Sequence, residues 1–225
     1  MKNILIEKRI LQSNDEFAEN NRRRFAENGI FAINIFGSLG AGKTTLLEKT
    51  LSLIKDSTSI GVIEGDLYTT KDAERIEQEG INVVQINTCG ACHLDASMIE
   101  EAVKVMRMDE LETRMPKLMF IENVGNLVCP ASYDLGENTK ITVLSVTEGN
   151  DKPLKYPFMF KISDIVVLNK IDLINFTDFD IQEFREDICS LNKNAKIFEV
   201  SSRTGEGVED FAFYLMKLIK NDDKY

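Results

Sequence analysis

The chain has 225 residues, of which 43% are apolar, and its formal net charge is −10. This length and apolar fraction predict one domain with a sizeable core, while the acidity argues against a nucleic-acid-binding surface. Because no stretch is apolar enough to span a bilayer and no signal peptide is visible, we expect a cytoplasmic protein that binds neither nucleic acid nor membranes.

Residues 9–28 mix apolar and charged positions and end near Asn28-Gly29, which predicts an N-terminal helix with a glycine stop. From residue 30 onward, strand-like and helix-like segments alternate, which indicates an α/β domain whose mostly parallel sheet carries helices on both faces. The predicted strands are 31–36, 59–64, 82–86, 117–122, 140–146, 164–168 and 196–200. The predicted helices are 43–55, 70–79, 95–113, 178–192 and 207–220. We expect a helical extension at 1–29, one domain at 30–220 and a short tail at 221–225.

The segment 37–44, Gly-Ser-Leu-Gly-Ala-Gly-Lys-Thr, fits the phosphate-binding pattern G-x-x-x-x-G-K-S/T and lies between a predicted strand and a predicted helix. Glycines let the backbone approach phosphates closely, and the loop amides and helix N-terminus supply positive partial charge. Lys43 is expected to reach the β- and γ-phosphates and act in catalysis, and the Thr44 hydroxyl to bind Mg²⁺. The predicted phosphate-binding residues are Gly37, Ser38, Leu39, Gly40, Ala41, Gly42, Lys43, Thr44 and Thr45.

Asp66 follows the predicted strand at 59–64, so it should face the phosphates at the carboxyl edge of the sheet. We expect Asp66 to bind Mg²⁺ or to position the attacking water. Asp72 is expected to lie in the first switch segment and to contact the nucleotide.

Four cysteines in a cytosolic chain indicate reduced thiols or metal ligands rather than disulfides. Cys92-His93 and Cys129 stand in two strand-end loops that can meet in space, and two thiolates with an imidazole suit Zn²⁺ or Ni²⁺. Cys89 completes a C-x-x-C and is a candidate fourth ligand; otherwise a water or a second chain must complete the site. The spacing is equally compatible with a structural role, in which these cysteines are small buried apolar residues and bind no metal. Cys189, inside a helical pattern, is expected to lie in the core.

Glu122 ends the predicted strand at 117–122, and we expect it to hold Mg²⁺ together with Thr44 and to act in catalysis. Gly125 is expected to sense the γ-phosphate through its amide. Only six residues separate Glu122 from Cys129, and we hypothesise that this short loop couples the nucleotide to the metal. Two interpretations of Lys152 are equally compatible with the sequence. It contacts the nucleotide or the partner chain, or it is an ordinary surface lysine.

The segment 169–172, Asn-Lys-Ile-Asp, follows a strand-like run and resembles the guanine-recognition motif of GTPases. Asp172 can accept hydrogen bonds from the ring N–H and the exocyclic amine of guanine, whereas adenine has no amine at that edge. The stem of Lys170 can lie over the base plane, beside Asn169. A later loop, which resembles the segment that contacts the guanine carbonyl, adds Ser201, Ser202 and Arg203. The predicted nucleotide is therefore GTP or GDP.

Six stretches of the chain together resemble HypB, the GTPase family that helps to insert nickel into nickel–iron hydrogenase. They are residues 37–44, 64–66, 72–75, 92–96, 122–130 and 169–172. The resemblance covers residues 30 to 220, and its most specific piece is Glu-Asn-Val-Gly-Asn-Leu-Val-Cys-Pro at 122–130 because that motif is long and unusual.

The resemblance implies a P-loop fold of the signal-recognition-like, dimer-activated GTPase class and GTP-dependent homodimerisation. It also implies a nickel- or zinc-binding site at the dimer interface, formed by Cys92, His93 and Cys129 of two chains. A nickel-donating accessory protein and the hydrogenase large subunit are the implied partners. Two departures are visible. The chain has neither the N-terminal cysteine motif nor the histidine-rich tract of some members, and Cys89 stands where we expect glycine.

Three other functions compete with this interpretation. The related urease accessory GTPase also handles nickel, but its cysteine-proline-histidine motif is not matched here. A regulatory GTPase switch without metal would bury the cysteines in the core. A small-molecule kinase with a P-loop is disfavoured by the guanine-type motif at 169–172.

Overall fold

The computed structural model of the protein describes residues 6–111, 113 and 115–222. Residues 1–5 of the predicted extension and 223–225 of the predicted tail lie outside this part. The strands are β1 Ile30–Gly37, β2 Ser59–Asp66, β3 Asn82–Asn87, β4 Lys117–Glu122, β5 Thr139–Ser145, β6 Ile165–Asn169 and β7 Lys196–Glu199. The helices are α1 Ile6–Glu27, α2 Lys43–Ile54, α3 Lys71–Glu77, α4 Ala96–Met106, α5 Lys152–Lys155, α6 Pro157–Ile162, α7 Ile181–Leu191 and α8 Val208–Asp222.

The seven strands form one sheet in the order β3-β2-β4-β1-β5-β6-β7. All neighbouring strands pair in parallel, so their carboxyl ends meet at one edge of the sheet. The loops that follow β1, β2, β3, β4 and β6 carry the sequence motifs and are therefore brought together. The predicted α/β P-loop fold is confirmed.

Helices cover both faces of the sheet, because alternate residues of a strand point to opposite sides. Phe31, Ile33 and Ile35 of β1 pack in a core shared with α2 and α8. Ile30 and Ala32 face the other side, where α1 and α4 complete a second core. A third cluster lies beneath α6 and α7.

The N-terminal helix α1 packs against α4 and shares its core, since Ala18 and Phe25 are each 1% exposed. Polar contacts add to this packing: the Nδ2 atom of Asn21 donates to the carbonyl oxygens of Ala96, at 2.8 Å, and Leu135, at 3.1 Å. The helix is thereby tied to the loops beside the carboxyl edge.

Three predictions about helices differ from the structure. The helix predicted at 95–113 ends at Met106, because Arg107 adopts a left-handed φ of 56°. Residues 152–162, which carried no predicted element, form the short helices α5 and α6. The prediction that Cys189 lies in the core is wrong: Phe184 and Ile188 of α7 are buried, whereas the next residue, Cys189, turns away and is exposed. Across the part of the chain that the structure describes, no helix has the length and apolarity needed to cross a membrane.

Candidate nucleotide and metal site

The phosphate-binding loop joins β1 to α2 at the carboxyl edge of the sheet. Gly42 precedes the helix with a φ of 91°, and a Cβ atom there would lie 2.5 Å from the Nδ2 atom of Asn169. Only glycine therefore fits this position. The Nζ atom of Lys43 is buried and donates to the carbonyl oxygens of Gly37, at 3.4 Å, and Ser38, at 3.3 Å. The ammonium group is thus held inside the loop that is expected to surround the phosphates.

A cavity opens between this loop, the end of β2, α3 and the segment after β4. Most of the predicted phosphate and magnesium residues line it. They are Leu39, Gly40, Gly42, Lys43, Thr44, Thr45, Asp66, Asp72, Glu122 and Gly125, and Lys170 of the predicted guanine motif also lines the cavity. The cavity wall also includes Glu64 and Arg75, to which the sequence analysis assigned no role, although both lie in the resembling stretches 64–66 and 72–75.

Glu122 lies at the floor of this cavity and is 3% exposed. Its Oε1 atom accepts a hydrogen bond of 2.8 Å from the Thr44 hydroxyl. Within the described part of the chain, its Oε2 atom has no hydrogen-bond partner. Burial raises the pKa of Glu122 to about 7. A buried carboxylate oxygen without a partner is the kind of group that a cation would satisfy.

Glu64 is a second buried carboxyl at the same edge, and it pairs in register with Glu122 across β2 and β4. It is 2% exposed, and its Oε2 atom also has no hydrogen-bond partner among the described residues. Burial, and then the neighbouring Glu122, raise the pKa of Glu64 to about 8. A strand that is buried on both faces does not alternate polar and apolar residues, so the pattern of β2 does not mark Glu64 as a site residue. Its position beside Gly65-Asp66 is the remaining sequence indication.

The acidic residues after β2 gather beside Glu64. Carboxylate oxygens of Glu64, Asp66 and Asp72 lie within 4.8 Å of one another. Asp66 is oriented by the backbone N–H groups of two following residues, which donate to its Oδ1 atom at 2.8 and 2.9 Å. Asp72 pairs with Arg75 at 3.1 Å, and Arg75 also reaches Glu48 on α2 at 2.5 Å. The donor set of Thr44, Glu122 and this carboxylate cluster consists of oxygen atoms, which fits Mg²⁺.

The predicted guanine loop is tied directly to the phosphate loop. The Nδ2 atom of Asn169 donates to the carbonyl oxygen of Ala41 at 3.0 Å, and Lys170 donates from Nζ to that of Gly40 at 2.6 Å. Lys170 adopts a left-handed φ of 61° at the end of β6. The two motifs, about 125 residues apart in sequence, therefore form one surface.

The last predicted guanine-binding residues support this loop. Ser201 donates from Oγ to the Oδ1 atom of Asp172 at 2.6 Å, which fixes the carboxylate. Ser202 donates from its backbone N–H, at 3.1 Å, and from Oγ, at 2.9 Å, to the Oδ1 atom of Asn169. Arg203 is exposed beside them.

Cys92, His93 and Cys129 also converge, with their ligand atoms within 4.8 Å of one another. The three side chains are half-buried, and the Sγ atom of Cys92 lies 3.7 Å from the Nδ1 atom of His93. A hydrogen bond with Cys129 raises the pKa of Cys92, and burial lowers the pKa of His93, which favours the neutral imidazole that metals bind. Cys89 is exposed and is not part of this group.

The segment between Glu122 and Cys129 touches both sites. Gly125 lines the nucleotide cavity, whereas the Nδ2 atom of Asn126 donates to the carbonyl oxygen of Cys92 at 3.4 Å. Asn126 also forms an antiparallel bridge with Gly37, the first residue of the phosphate loop. Lys152 begins α5, with its Nζ atom 5.7 Å from the ring centroid of Tyr156.

Known proteins match this chain over both groups of loops. The family model described as CobW/HypB/UreG, nucleotide-binding domain, matches residues 31–199. Hydrogenase maturation factor HypB of Rhizobium leguminosarum bv. viciae is 49% identical over 94% of this chain and 69% of that protein. Hydrogenase/urease maturation factor HypB of Helicobacter hepaticus is 44% identical over 92% of this chain and 84% of that protein. A crystal structure of HypB from Helicobacter pylori in complex with nickel has a TM-score of 0.87 and 41% identity, covering 93% of this chain and 96% of that chain.

Proposed function

This chain belongs to the HypB family of hydrogenase maturation factors, and we propose that it is a GTPase that binds nickel and assists its insertion into nickel–iron hydrogenase. The observation that carries the proposal is the convergence of Cys92, His93 and Cys129 beside a guanine-type nucleotide cavity. The shared segment between Glu122 and Cys129 supports a link between the two sites.

Hydrolysis of GTP requires positioning and charge neutralisation more than covalent chemistry. Lys43 exchanges its loop carbonyl partners for the β- and γ-phosphates, and the loop amides bind the phosphate oxygens. Asp66 orients the attacking water. Asp172, fixed by Ser201, selects guanine by accepting hydrogen bonds from the base.

The oxygen donors of the cavity fit a magnesium ion. Thr44, Glu122 and Asp66 would hold it, and the buried carboxylate oxygens of Glu64 and Glu122 that have no hydrogen-bond partner among the described residues support this assignment. When bound, Mg²⁺ neutralises charge on the phosphates.

The metal carried as cargo is Ni²⁺ in our proposal, and Zn²⁺ accepts the same ligands. Cys92, His93 and Cys129 supply three ligands, so we infer that the site is completed by a second copy of the chain in a GTP-dependent homodimer. We expect this cycle to run in the cytoplasm, with a nickel-donating accessory protein and the hydrogenase large subunit as partners.

The relative named for both hydrogenase and urease makes urease maturation the second candidate. The two functions share the metal and nucleotide chemistry and differ in the target enzyme. A metal-free regulatory GTPase is disfavoured, because Cys92 and Cys129 meet at a half-buried surface instead of lying in the core.

The proposal is tested by equilibrium dialysis of the full chain against Ni²⁺, with GTP and ATP hydrolysis measured on the same preparation. We expect nickel binding to be lost in Cys92→Ala and Cys129→Ala, because each change removes a thiolate ligand. Cys189→Ala is the matched control, since that thiol is exposed and lies outside the cluster. Undiminished binding in both ligand variants, or a preference for ATP, would contradict the proposal.

A further inference from the structure

His93 stacks on an aromatic side chain from the other metal-carrying loop. The ring centroids of His93 and Tyr133 are 3.8 Å apart and their planes are inclined by 23°. Tyr133 follows the short turn Cys129–Ser132, and its backbone N–H donates to the carbonyl oxygen of Pro130 at 3.3 Å. The stack therefore joins the loop with Cys92 and His93 to the loop with Cys129.

The main chain on both sides of His93 is anchored without help from Tyr133. Asn126 donates to the carbonyl oxygen of Cys92, and the backbone N–H of Leu94 donates to the Oδ1 atom of Asn123 at 3.1 Å. Leu94 is itself fully buried. With the main chain held, the orientation of the imidazole is set by its side-chain torsions, and the tyrosine ring covers one of its faces.

We propose that Tyr133 is a positioning residue of the metal site, which holds the imidazole of His93 in the orientation from which it joins Cys92 and Cys129. The inference rests on the proposed function, in which these three side chains bind nickel. Tyr133 acts through His93 and needs no contact with the ion. A ligand oriented before binding loses less conformational freedom when the metal arrives. Replacing the hydrogen-bonded outer partners of metal ligands changes affinity by about 10- to 100-fold, and we expect an effect of that order from the ring that orients His93.

The alternative is that Tyr133 only fills space, because it also packs against the core beneath α1 and α4. Two substitutions separate these roles. Tyr133→Phe keeps both the ring and the apolar contacts, whereas Tyr133→Leu keeps apolar contacts but removes the ring. A purely structural role predicts similar behaviour of the two variants toward metal.

The first readout needs no metal. The chain has a single histidine, so proton NMR of the full protein gives one set of imidazole signals, all from His93. We expect these signals to be shifted upfield by the tyrosine ring in the wild type and in Tyr133→Phe, and to return to the position of a free imidazole in Tyr133→Leu. A free-imidazole position in the folded wild type would overturn the proposal, whether or not the leucine variant folds.

The second readout is nickel binding and X-ray absorption of the bound Ni²⁺. We expect Tyr133→Leu to bind nickel about tenfold more weakly or worse and to lose the imidazole scattering while keeping that of sulfur. Tyr133→Phe should match the wild type. Phe213→Leu, at a 73% exposed position on α8, controls for loss of an aromatic ring.

The outcomes distinguish the two proposals. Wild-type affinity and imidazole scattering in Tyr133→Leu would refute the role of Tyr133 and leave the metal site intact. Nickel binding by the wild type that does not depend on Cys92 or Cys129 would instead refute the proposed function.

Discussion

At the scale of single residues, the nucleotide cavity is defined by two buried carboxyls that face the same space. Glu122 was selected from its place at a strand end, but Glu64 was not, because its role depends on β2 lying beside β4. Lys43 partly offsets the negative charge, whereas Asp66 and Asp72 add to it. The role of Tyr133 likewise depends on a contact that the sequence does not show, since Tyr133 and His93 are 40 positions apart. Such pairings are properties of the folded chain and have no local sequence signal.

The raised pKa of Glu64 predicts how stability depends on pH in the nucleotide-free, metal-free protein. Its pKa is about 8 in the folded chain, against an ordinary value of 4.5, so the folded state retains a proton that the unfolded state releases. The resulting stabilisation is complete below the unfolded pKa and is lost as the pH rises through about 8. Glu122 acts in the same direction, with a pKa of about 7.

We therefore expect the melting temperature, measured in chelator, to fall between about pH 6 and about pH 8.5 in the wild type. Glu64→Gln should flatten this dependence, because the amide cannot titrate. Glu209→Gln, at an exposed position on α8, is the control. An unchanged pH dependence in Glu64→Gln would show that Glu64 does not hold the proton.

At the scale of elements, the sequence predicted the seven strands to within two residues at each end and the P-loop between β1 and α2. Buried apolar runs and flanking glycines carry that information. The helix ending at Met106 was predicted too long because the left-handed turn at Arg107 has no glycine to mark it. The helices α5 and α6 were missed because four and six residues are too few to form a helix without tertiary packing.

In our proposal, coupling between the two sites depends on the segment 123–129. Asn126→Ala removes the side chain that reaches the carbonyl oxygen of Cys92 and should loosen the link to the nucleotide cavity. We expect calorimetry to show a smaller difference in nickel affinity between the GDP and GTP-analogue states than in the wild type. Asn194→Ala, an exposed residue between α7 and β7, is the matched control. Equal affinities in the two nucleotide states of the wild type would contradict coupling altogether.

At the scale of the whole molecule, both sites open on the carboxyl edge of one sheet, and this edge also carries exposed apolar side chains. Leu39 of the phosphate loop is 74% exposed, Tyr68 is 77% exposed, and Val128, next to Cys129, is 58% exposed. We expect a second copy of the chain to cover them in the GTP state and to complete the three-ligand metal site. The placement of every motif at this edge followed from the sequence, since parallel strands bring their carboxyl ends together.

The most direct test of the account is size-exclusion chromatography with light scattering, run with GDP or a non-hydrolysable GTP analogue, each with and without Ni²⁺. The metal content of each peak is then measured. We predict a monomer with GDP and a nickel-carrying dimer with the GTP analogue, and loss of the metal in Cys92→Ala and Cys129→Ala. A protein that stays monomeric with either nucleotide and carries no metal would contradict the account. It would then be a GTPase whose cysteines have only a structural role.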